Sequence, residues 1–186
     1  KNMISMIPIV SLFCIDPSLG KVDKASLSQQ TLMELVIENI DRKEEVCRDA
    51  DHPLDINSWY GTQTNHGGEV TKLHWGCFGM GGSIQLEWLP ETVTAAYLYN
   101  NAFEGTVTLT NLPAALSWLT VADNNLSGTI DVTQLPMGME SLFLNDNQFE
   151  GETDFSRLPD SLAVFWVSYN THLSGTIMVK RTHAFQ

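Results

Sequence analysis

Basic residues and cysteines are scarce in this sequence. Its 186 residues include 10 lysines and arginines against 22 aspartates and glutamates, and the formal net charge is −12 at pH 7. Because no basic stripe runs along the chain, we expect no nucleic-acid partner. The acidic balance favours solubility or a basic partner surface. The three cysteines, Cys14, Cys47 and Cys77, are an odd number, which excludes full pairing within the chain.

Motifs that carry catalysis or bind metals are missing as well. The sequence has no G-x-S-x-G, P-loop or H-E-x-x-H pattern, and no two histidines have the spacing of a zinc site. Residues 79–82 are glycine-rich, but no predicted helix follows them to hold a phosphate. We therefore predict a protein without a catalytic site, a metal or a cofactor. The five histidines are His52, His66, His74, His172 and His183.

No apolar run is long enough for a comfortable membrane span. The apolar run at residues 3–15 falls short of the roughly 20 residues that a transmembrane helix needs. It is similar to the apolar core of a targeting segment, although the chain opens on Lys1 rather than on methionine. We assign residues 1–25 to an apolar N-terminal segment and linker, and we predict that residues 3–15 contact a membrane or a membrane protein.

A period of 23 residues dominates the rest of the chain. Leu-Pro pairs recur on this period at residues 89–90, 112–113, 135–136 and 158–159. Asparagine recurs on it too, at Asn101, Asn124, Asn147 and Asn170. A period in this range indicates stacked supersecondary units, which form a solenoid, and the extended surfaces of solenoids serve binding.

Each unit contains an alternating L-x-L stretch, which suits a short strand with one face inward. We expect the strands of successive units to pair in parallel, with the Leu-Pro and Gly-x-Ile segments covering their inward face. The asparagine follows the strand where the chain bends, so its buried amide is placed to satisfy unpaired backbone groups. Segments 106–110, 129–133 and 152–156 also alternate, and we expect a second set of short strands there.

The stretch N-N-L-S-G-T-I at residues 124–130 resembles the plant-type branch of the leucine-rich repeat family, and many protist repeat proteins are similar. The resemblance covers residues 59–178. It implies an α/β solenoid with a parallel β-sheet on the concave face and an N-terminal helical cap. We assign residues 66–178 to about five repeats of 23 residues and residues 179–186 to a C-terminal tail. The sequence departs from the pattern at Phe78, Ala96 and Thr153.

Residues 26–65 are assigned to the cap because a helical pattern begins there. The helix starts either at Ser28 or at a capping box of Thr31 and Glu34. We expect fraying near residues 44–45, where acidic side chains oppose the helix dipole. Its apolar face consists of Leu32, Leu35, Val36 and Ile40.

The resemblance also implies a paired cysteine in the cap, within a W-x-G-V-x-C motif. Here residues 59–64 read W-Y-G-T-Q-T, so Thr64 stands where that cysteine is expected. Cys47 is thus left without the partner that the family pattern supplies. Either packing alone holds the cap, or Cys47 pairs elsewhere.

Large aromatic side chains are concentrated on the strand positions that alternate with the inward residues. Tryptophan and tyrosine are enriched at interfaces, and contiguous exposed apolar surface marks a contact. We therefore predict a partner-binding concave face; the alternative is that a flanking segment, such as the apolar N-terminus, folds over it. The predicted face consists of His74, Tyr97, Tyr99, Trp118, Phe143 and Trp166.

Together these patterns predict a non-catalytic protein-binding or scaffolding module. We expect an accessory structural subunit of a larger, membrane-associated complex, because residues 179–186 are too few to form another unit over the last repeat. Other protein subunits would then be its partners. The alternative is a ligand-recognition ectodomain of a receptor or a secreted recognition protein, with a glycan on the sequon that begins at Asn125. An organelle or an extracytoplasmic surface is slightly favoured over the cytosol.

Overall fold

The computed structural model describes residues 23–176, and they form a solenoid of about five coils. Each coil places one strand in a first sheet and a second strand in another sheet. The predicted membrane contact at residues 3–15 and the tail at residues 179–186 lie outside the described residues. Within residues 23–176, no helix has the length and apolar character needed to cross a membrane.

Short strands dominate the described part of the chain. Its α-helices are α1 (Gln29–Ile37) and α2 (Glu44–Cys47), and single 3-10 turns span Lys24–Ser26, Ile56–Ser58 and Leu86–Trp88. The strands are β1 (Ile40–Asp41), β2 (Thr62–Thr64), β3 (Val70–His74), β4 (Gly81–Gly82), β5 (Ala95–Tyr97), β6 (Ala102–Gly105), β7 (Trp118–Thr120), β8 (Asn125–Gly128), β9 (Ser141–Phe143), β10 (Gln148–Asp154), β11 (Val164–Trp166) and β12 (His172–Thr176).

The concave sheet has the strand order β11-β9-β7-β5-β3-β2. The odd-numbered strands from β3 to β11 are parallel to one another. Strand β2 of the cap joins this sheet antiparallel to β3. Leu73, Ala96, Leu119 and Leu142 lie side by side in this register and are fully buried. The predicted parallel sheet of a leucine-rich-repeat coil is therefore confirmed, and the small Ala96 is accommodated within its core.

The second sheet has the order β1-β4-β6-β8-β10-β12 and is also parallel apart from β1. It lies about four residues earlier in each coil than the segments 106–110, 129–133 and 152–156 that the alternation favoured, so that placement was wrong. Only β10 extends into the third segment. In the second and third coils the strand ends at Gly105 and Gly128, each with a left-handed φ of 76°. Gly151 has a similar φ of 82° within β10, so this conformation alone does not end the strand.

The core lies between the two sheets and is closed by the Leu-Pro segments. In each coil the proline carbonyl accepts a hydrogen bond from the N–H three residues later, as from Leu116 to Pro113 at 3.0 Å. The same turn occurs in all four Leu-Pro segments, which therefore have a common backbone path. Leu89, Leu98 and Phe103 are completely buried behind it. Apolar burial on this scale is the main favourable contribution to folding.

Asparagine side chains connect successive coils through backbone hydrogen bonds. The Asn124 amide oxygen accepts the Phe103 N–H at 3.0 Å, and its nitrogen donates to the Leu98 and Val121 carbonyls at 3.1 and 3.0 Å. These partners lie partly in the preceding coil and partly in its own coil. Equivalent sets of bonds are made by Asn101, Asn147 and Asn170.

The departures from the repeat pattern are absorbed locally. Where Phe78 replaces the asparagine of the first coil, Asn101 of the second coil accepts the N–H groups of both Phe78 and Met80 at 3.1 Å. The buried Thr153 hydroxyl donates to the Ile130 carbonyl at 3.4 Å. Both exceptions therefore keep their buried polar groups in hydrogen bonds, as a close-packed interior requires.

The cap helix is shorter than its apolar pattern suggested. Helix α1 begins after Ser28, whose side chain accepts the Thr31 N–H at 3.1 Å, and it ends at Ile37. Ile40 was expected on the helical face, but it lies in β1 and pairs with Gly82. Pairing of β1 with the second sheet therefore ends the helix earlier than its local periodicity predicted.

The expected fraying near residues 44–45 is also wrong. These residues open the separate helix α2, where Glu44 and Glu45 occupy the first turn. Negative charge is favourable at a helix N-terminus, so the same two glutamates stabilise a new helix instead of weakening the end of an old one.

Replacing Asn124 with leucine is expected to lower the free energy of unfolding by on the order of 1–3 kcal/mol, because the Phe103 N–H and the two carbonyls lose their buried partner. Chemical denaturation measures the change. Asn125→Leu, at the exposed neighbouring position, is the matched control and should change stability by about 0.5 kcal/mol or less. Equal effects of the two substitutions would contradict the inter-coil role of Asn124.

Candidate functional site

Five rings form a continuous row across the concave sheet, called the aromatic stripe here. Neighbouring ring centroids in this row are 4.9, 6.0, 5.5 and 6.3 Å apart, which is the range of attractive aromatic pairs. The first pair is stacked, with an interplanar angle of 13°. The stripe consists of His74, Tyr97, Trp118, Phe143 and Trp166.

Trp118 completes the row although its strand position is in the neighbouring column. The central column runs through His74, Tyr97, Thr120, Phe143 and Trp166, so the threonine interrupts it. The Trp118 ring contacts both Tyr97 and Phe143 and so fills this interruption, while Thr120 is buried. The orientation of the Trp118 side chain, which closes the interruption at Thr120, could not be predicted from the repeat spacing alone.

Tyr99 is set apart from the stripe. Its ring lies over Gly76 in the adjacent coil, where a Cβ would come within 2.6 Å of the ring. Gly76 therefore provides the space for this ring. Tyr99 remains on the concave face and is 42% exposed, so it extends the aromatic surface sideways and does not add to the row.

Access to the stripe is greatest at its two ends, where His74 and Trp166 are exposed. Tyr97, Trp118 and Phe143 are half-buried by their neighbours, whereas Trp166 is 51% exposed. Residues 23–176 therefore leave both ends of the row open. Residues 1–22, which include the segment considered as an internal cover, lie outside the described part of the chain.

A row of left-handed residues borders the concave face. In each coil, the third residue after the strand of the concave sheet has a φ between 52° and 64°. Asparagine and aspartate tolerate this left-handed conformation better than most other side chains. These residues are Cys77, Asn100, Asp123, Asp146 and Tyr169. Asp123 and Asp146 therefore suit the turns in which they lie.

Two buried polar atoms on this face have no hydrogen-bond partner within residues 23–176. They are the Trp118 indole nitrogen and the Asn145 amide oxygen. The other end of the Asn145 amide donates to the Asp146 carboxylate at 2.6 Å, which fixes the amide orientation because the carboxylate only accepts. An unpaired buried group costs about 1–3 kcal/mol of folding stability, so each of these two atoms calls for a physical explanation.

Titratable side chains in the described part do not assemble into a reactive group. Hydrogen bonds from the hydroxyl and N–H of Thr133 hold the pKa of Asp131 below its usual range, and Ser156 does the same for the pKa of Asp154. These are local turn contacts on exposed carboxylates. No cluster of three or more histidine, cysteine, aspartate or glutamate side chains suited to a metal ion occurs between residues 23 and 176.

Two grooves in the described part of the chain are lined by residues outside the stripe. A groove of about 810 Å³ follows the second sheet and is polar, with Asn39, Glu104, Asn125 and Gln148 among its lining residues. Another, of about 520 Å³, lies along the segments after β6 and β8 and includes Asp131, Glu152 and Asp154. The rings of the aromatic stripe line neither of these grooves, and a row of rings spread over a sheet face suits contact with another protein.

Comparison with solved structures identifies the fold. The leucine-rich-repeat ectodomain of the plant membrane receptor kinase GASSHO1/SCHENGEN3 from Arabidopsis thaliana, in complex with CASPARIAN STRIP INTEGRITY FACTOR 2, matches with a TM-score of 0.60 at 21% identity. The match covers 81% of this chain and 19% of that ectodomain, so the chain spans about a fifth of its length. The protein described here has the leucine-rich-repeat fold, as its sequence pattern predicted.

A second Arabidopsis thaliana structure has weaker similarity. The leucine-rich-repeat ectodomain of the receptor kinase SOBIR1 matches with a TM-score of 0.46 at 19% identity, over 79% of this chain and 95% of that one. Neither a family model nor a curated protein matches the sequence.

The two free cysteines within residues 23–176 are expected to react at different rates. Burial raises the pKa of the Cys47 thiol, which lowers its thiolate fraction at any given pH, whereas Cys77 is exposed. At pH 8, iodoacetamide should label Cys77 about tenfold or more faster than Cys47 in the native protein, as followed by peptide mass spectrometry. Unfolded protein is the control, in which the rates should converge; equal rates in the native protein would contradict the burial of Cys47.

Proposed function

We propose that this protein is a non-catalytic protein-binding module whose partner contacts the aromatic stripe. The observation that carries the proposal is the unbroken row of five rings on a sheet face that ends in a half-exposed tryptophan. Aromatic side chains supply the anchors of many interfaces, because they bury a large area with few rotatable bonds. Nothing in the scaffold requires rings at these positions, since the inward residues alone form the core.

In its finer form, the proposal is an accessory structural subunit of a larger complex, with other protein subunits as partners. The stripe crosses every coil of the concave sheet, an extent that favours a broad protein surface. Membrane association of that complex through residues 3–15 and location in an organelle or on an extracytoplasmic surface belong to the same proposal. The assignment of residues 1–25, 26–65, 66–178 and 179–186 to four segments is also proposed.

The alternative function is a ligand-recognition ectodomain. Asn125 begins a glycosylation sequon and its side chain is exposed, so a glycan at this position would not disturb the core. The fold similarity to a receptor-kinase ectodomain is compatible with this alternative, but at 21% identity it concerns the fold alone.

Native mass and glycan analysis of the protein from its source distinguish these two functions. An accessory subunit should migrate within a large complex after mild extraction, with cross-links to other chains. A recognition ectodomain should carry a glycan at Asn125 and be recovered outside such a complex.

The double substitution Tyr97→Ala and Trp166→Ala is expected to weaken partner binding by at least about tenfold, since truncated interface anchors typically cost 2 kcal/mol or more. Affinity for the cross-linked partner, once isolated, is measured with purified components. The matched control is Tyr60→Ala with Met137→Ala, which removes two exposed apolar side chains outside the stripe and its border. Thermal midpoints should show that both double variants fold. Unchanged affinity of the stripe variant would overturn the proposed surface.

A further inference from the structure

The repeats are strongly one-sided in charge. From residue 73 to residue 156 the sequence has ten aspartates and glutamates but no lysine or arginine. Lys72 and Arg157 border this interval. A surface with charges of one sign raises the local concentration of oppositely charged ligands and accelerates their association.

We propose that the stripe receives an extended cationic protein segment, rich in arginine or lysine. This inference rests on the proposed function, because it names the chemical class of the partner that the aromatic stripe binds. It combines three observations on the concave face: the exposed rings, the bordering carboxylates and the unpartnered polar atoms.

The rings and carboxylates together suit a cation. A guanidinium or ammonium group is attracted to the face of a tryptophan or tyrosine ring, most strongly when it is partly desolvated. Asp123 and Asp146 follow the strands that carry Trp118 and Phe143, and the Asp146 carboxylate touches the concave-face residue Asn145. A cationic side chain resting on the stripe therefore has carboxylates along one border of the rings.

The charge of these two aspartates is not needed for the turn. Asn100 occupies the equivalent left-handed position of the preceding coil with a φ of 52°, against 55° and 54° for Asp123 and Asp146. Asparagine and aspartate are both tolerated in this conformation. The turn is thus satisfied by a neutral side chain. This leaves the Asp123 carboxylate, and the acceptor positions of the Asp146 carboxylate that the Asn145 amide does not occupy, for binding.

The unpartnered atoms favour a protein segment over a simple amine. Asn145 is 7% exposed, and its amide oxygen requires a donor, which a cationic side chain supplies. The Trp118 indole N–H requires an acceptor, which an ammonium group lacks but a backbone carbonyl provides. Both atoms are buried, so small rotations of interface side chains accompany binding, as is common in protein complexes.

The dimensions of the stripe suit an extended segment. Its four ring-to-ring steps of 4.9–6.3 Å cross five parallel strands. The resulting span of roughly 20 Å corresponds to about six or seven extended residues. Alternate side chains of such a segment point toward the same surface, so a cationic residue at every second position meets the row.

Selection from a random library of roughly 12-residue peptides tests the inference without presupposing a sequence. The immobilised proteins are the native chain, Asp123→Asn with Asp146→Asn, and Glu104→Gln with Glu150→Gln. The two double variants lose the same number of charges, but Glu104 and Glu150 are exposed on the second sheet. Thermal midpoints confirm that each variant folds before selection.

Peptides selected on the native chain and on the glutamate variant should be enriched in arginine and lysine over the input library. On the aspartate variant this enrichment should disappear, and the selected peptides should bind on the order of tenfold more weakly, with an affinity that falls as salt rises. Recovery of no peptides, no basic enrichment, or equal loss of enrichment on both variants would overturn the inference.

Selection on the Tyr97→Ala and Trp166→Ala protein separates this inference from the proposed function. Uncharged peptides that require these two rings would leave the binding stripe intact and refute only its preference for cations. If basic peptides bind this variant as tightly as the native chain, the stripe is not the binding surface. That result would also refute the proposed function.

Discussion

The amide of the recurring asparagine, present in the four coils after the first and buried at Asn124, Asn147 and Asn170, is the constraint on which the rest of this structure depends. Each amide joins backbone groups of its own coil to those of the preceding coil, as Asn147 does by accepting the Leu126 N–H of the preceding coil and donating to the Leu144 carbonyl of its own coil. The bend after each concave strand leaves these groups without sheet partners, and burial makes unpaired groups costly. Because the same residue solves the same problem every 23 residues, successive coils are held in a fixed register.

Function follows from that register. Residues 23 apart in sequence become neighbours in space. Outward-facing side chains at the same position of successive repeats therefore line up in a row on one face. The aromatic stripe and the bordering Asp123 and Asp146 are two such rows. Their side chains are free to serve recognition because the inward leucines and the asparagines already account for folding, which is the general advantage of repeat scaffolds.

The fold was predictable because it follows from a period, whereas several local features depend on tertiary contacts. The strands of the concave sheet, the asparagine positions and the Ser28 start of the cap helix were accessible from sequence. The end of that helix was not, since pairing of Ile40 with Gly82 overrides the apolar pattern. The lean of Trp118 and the unpartnered oxygen of Asn145 depend on side-chain geometry, although the Asn145-Asp146 pair beside an aromatic residue was a visible signal.

Photo-cross-linking from the stripe is the most direct test of whether the concave rings form the partner surface. Trp166 is replaced with the photoreactive aromatic p-benzoylphenylalanine, and in a matched protein Gln148, exposed on the second sheet, receives the same group. After irradiation in an extract of the source, we expect a discrete protein adduct from position 166 and none from position 148. Equal adducts from both positions, or adducts from position 148 alone, would contradict this expectation.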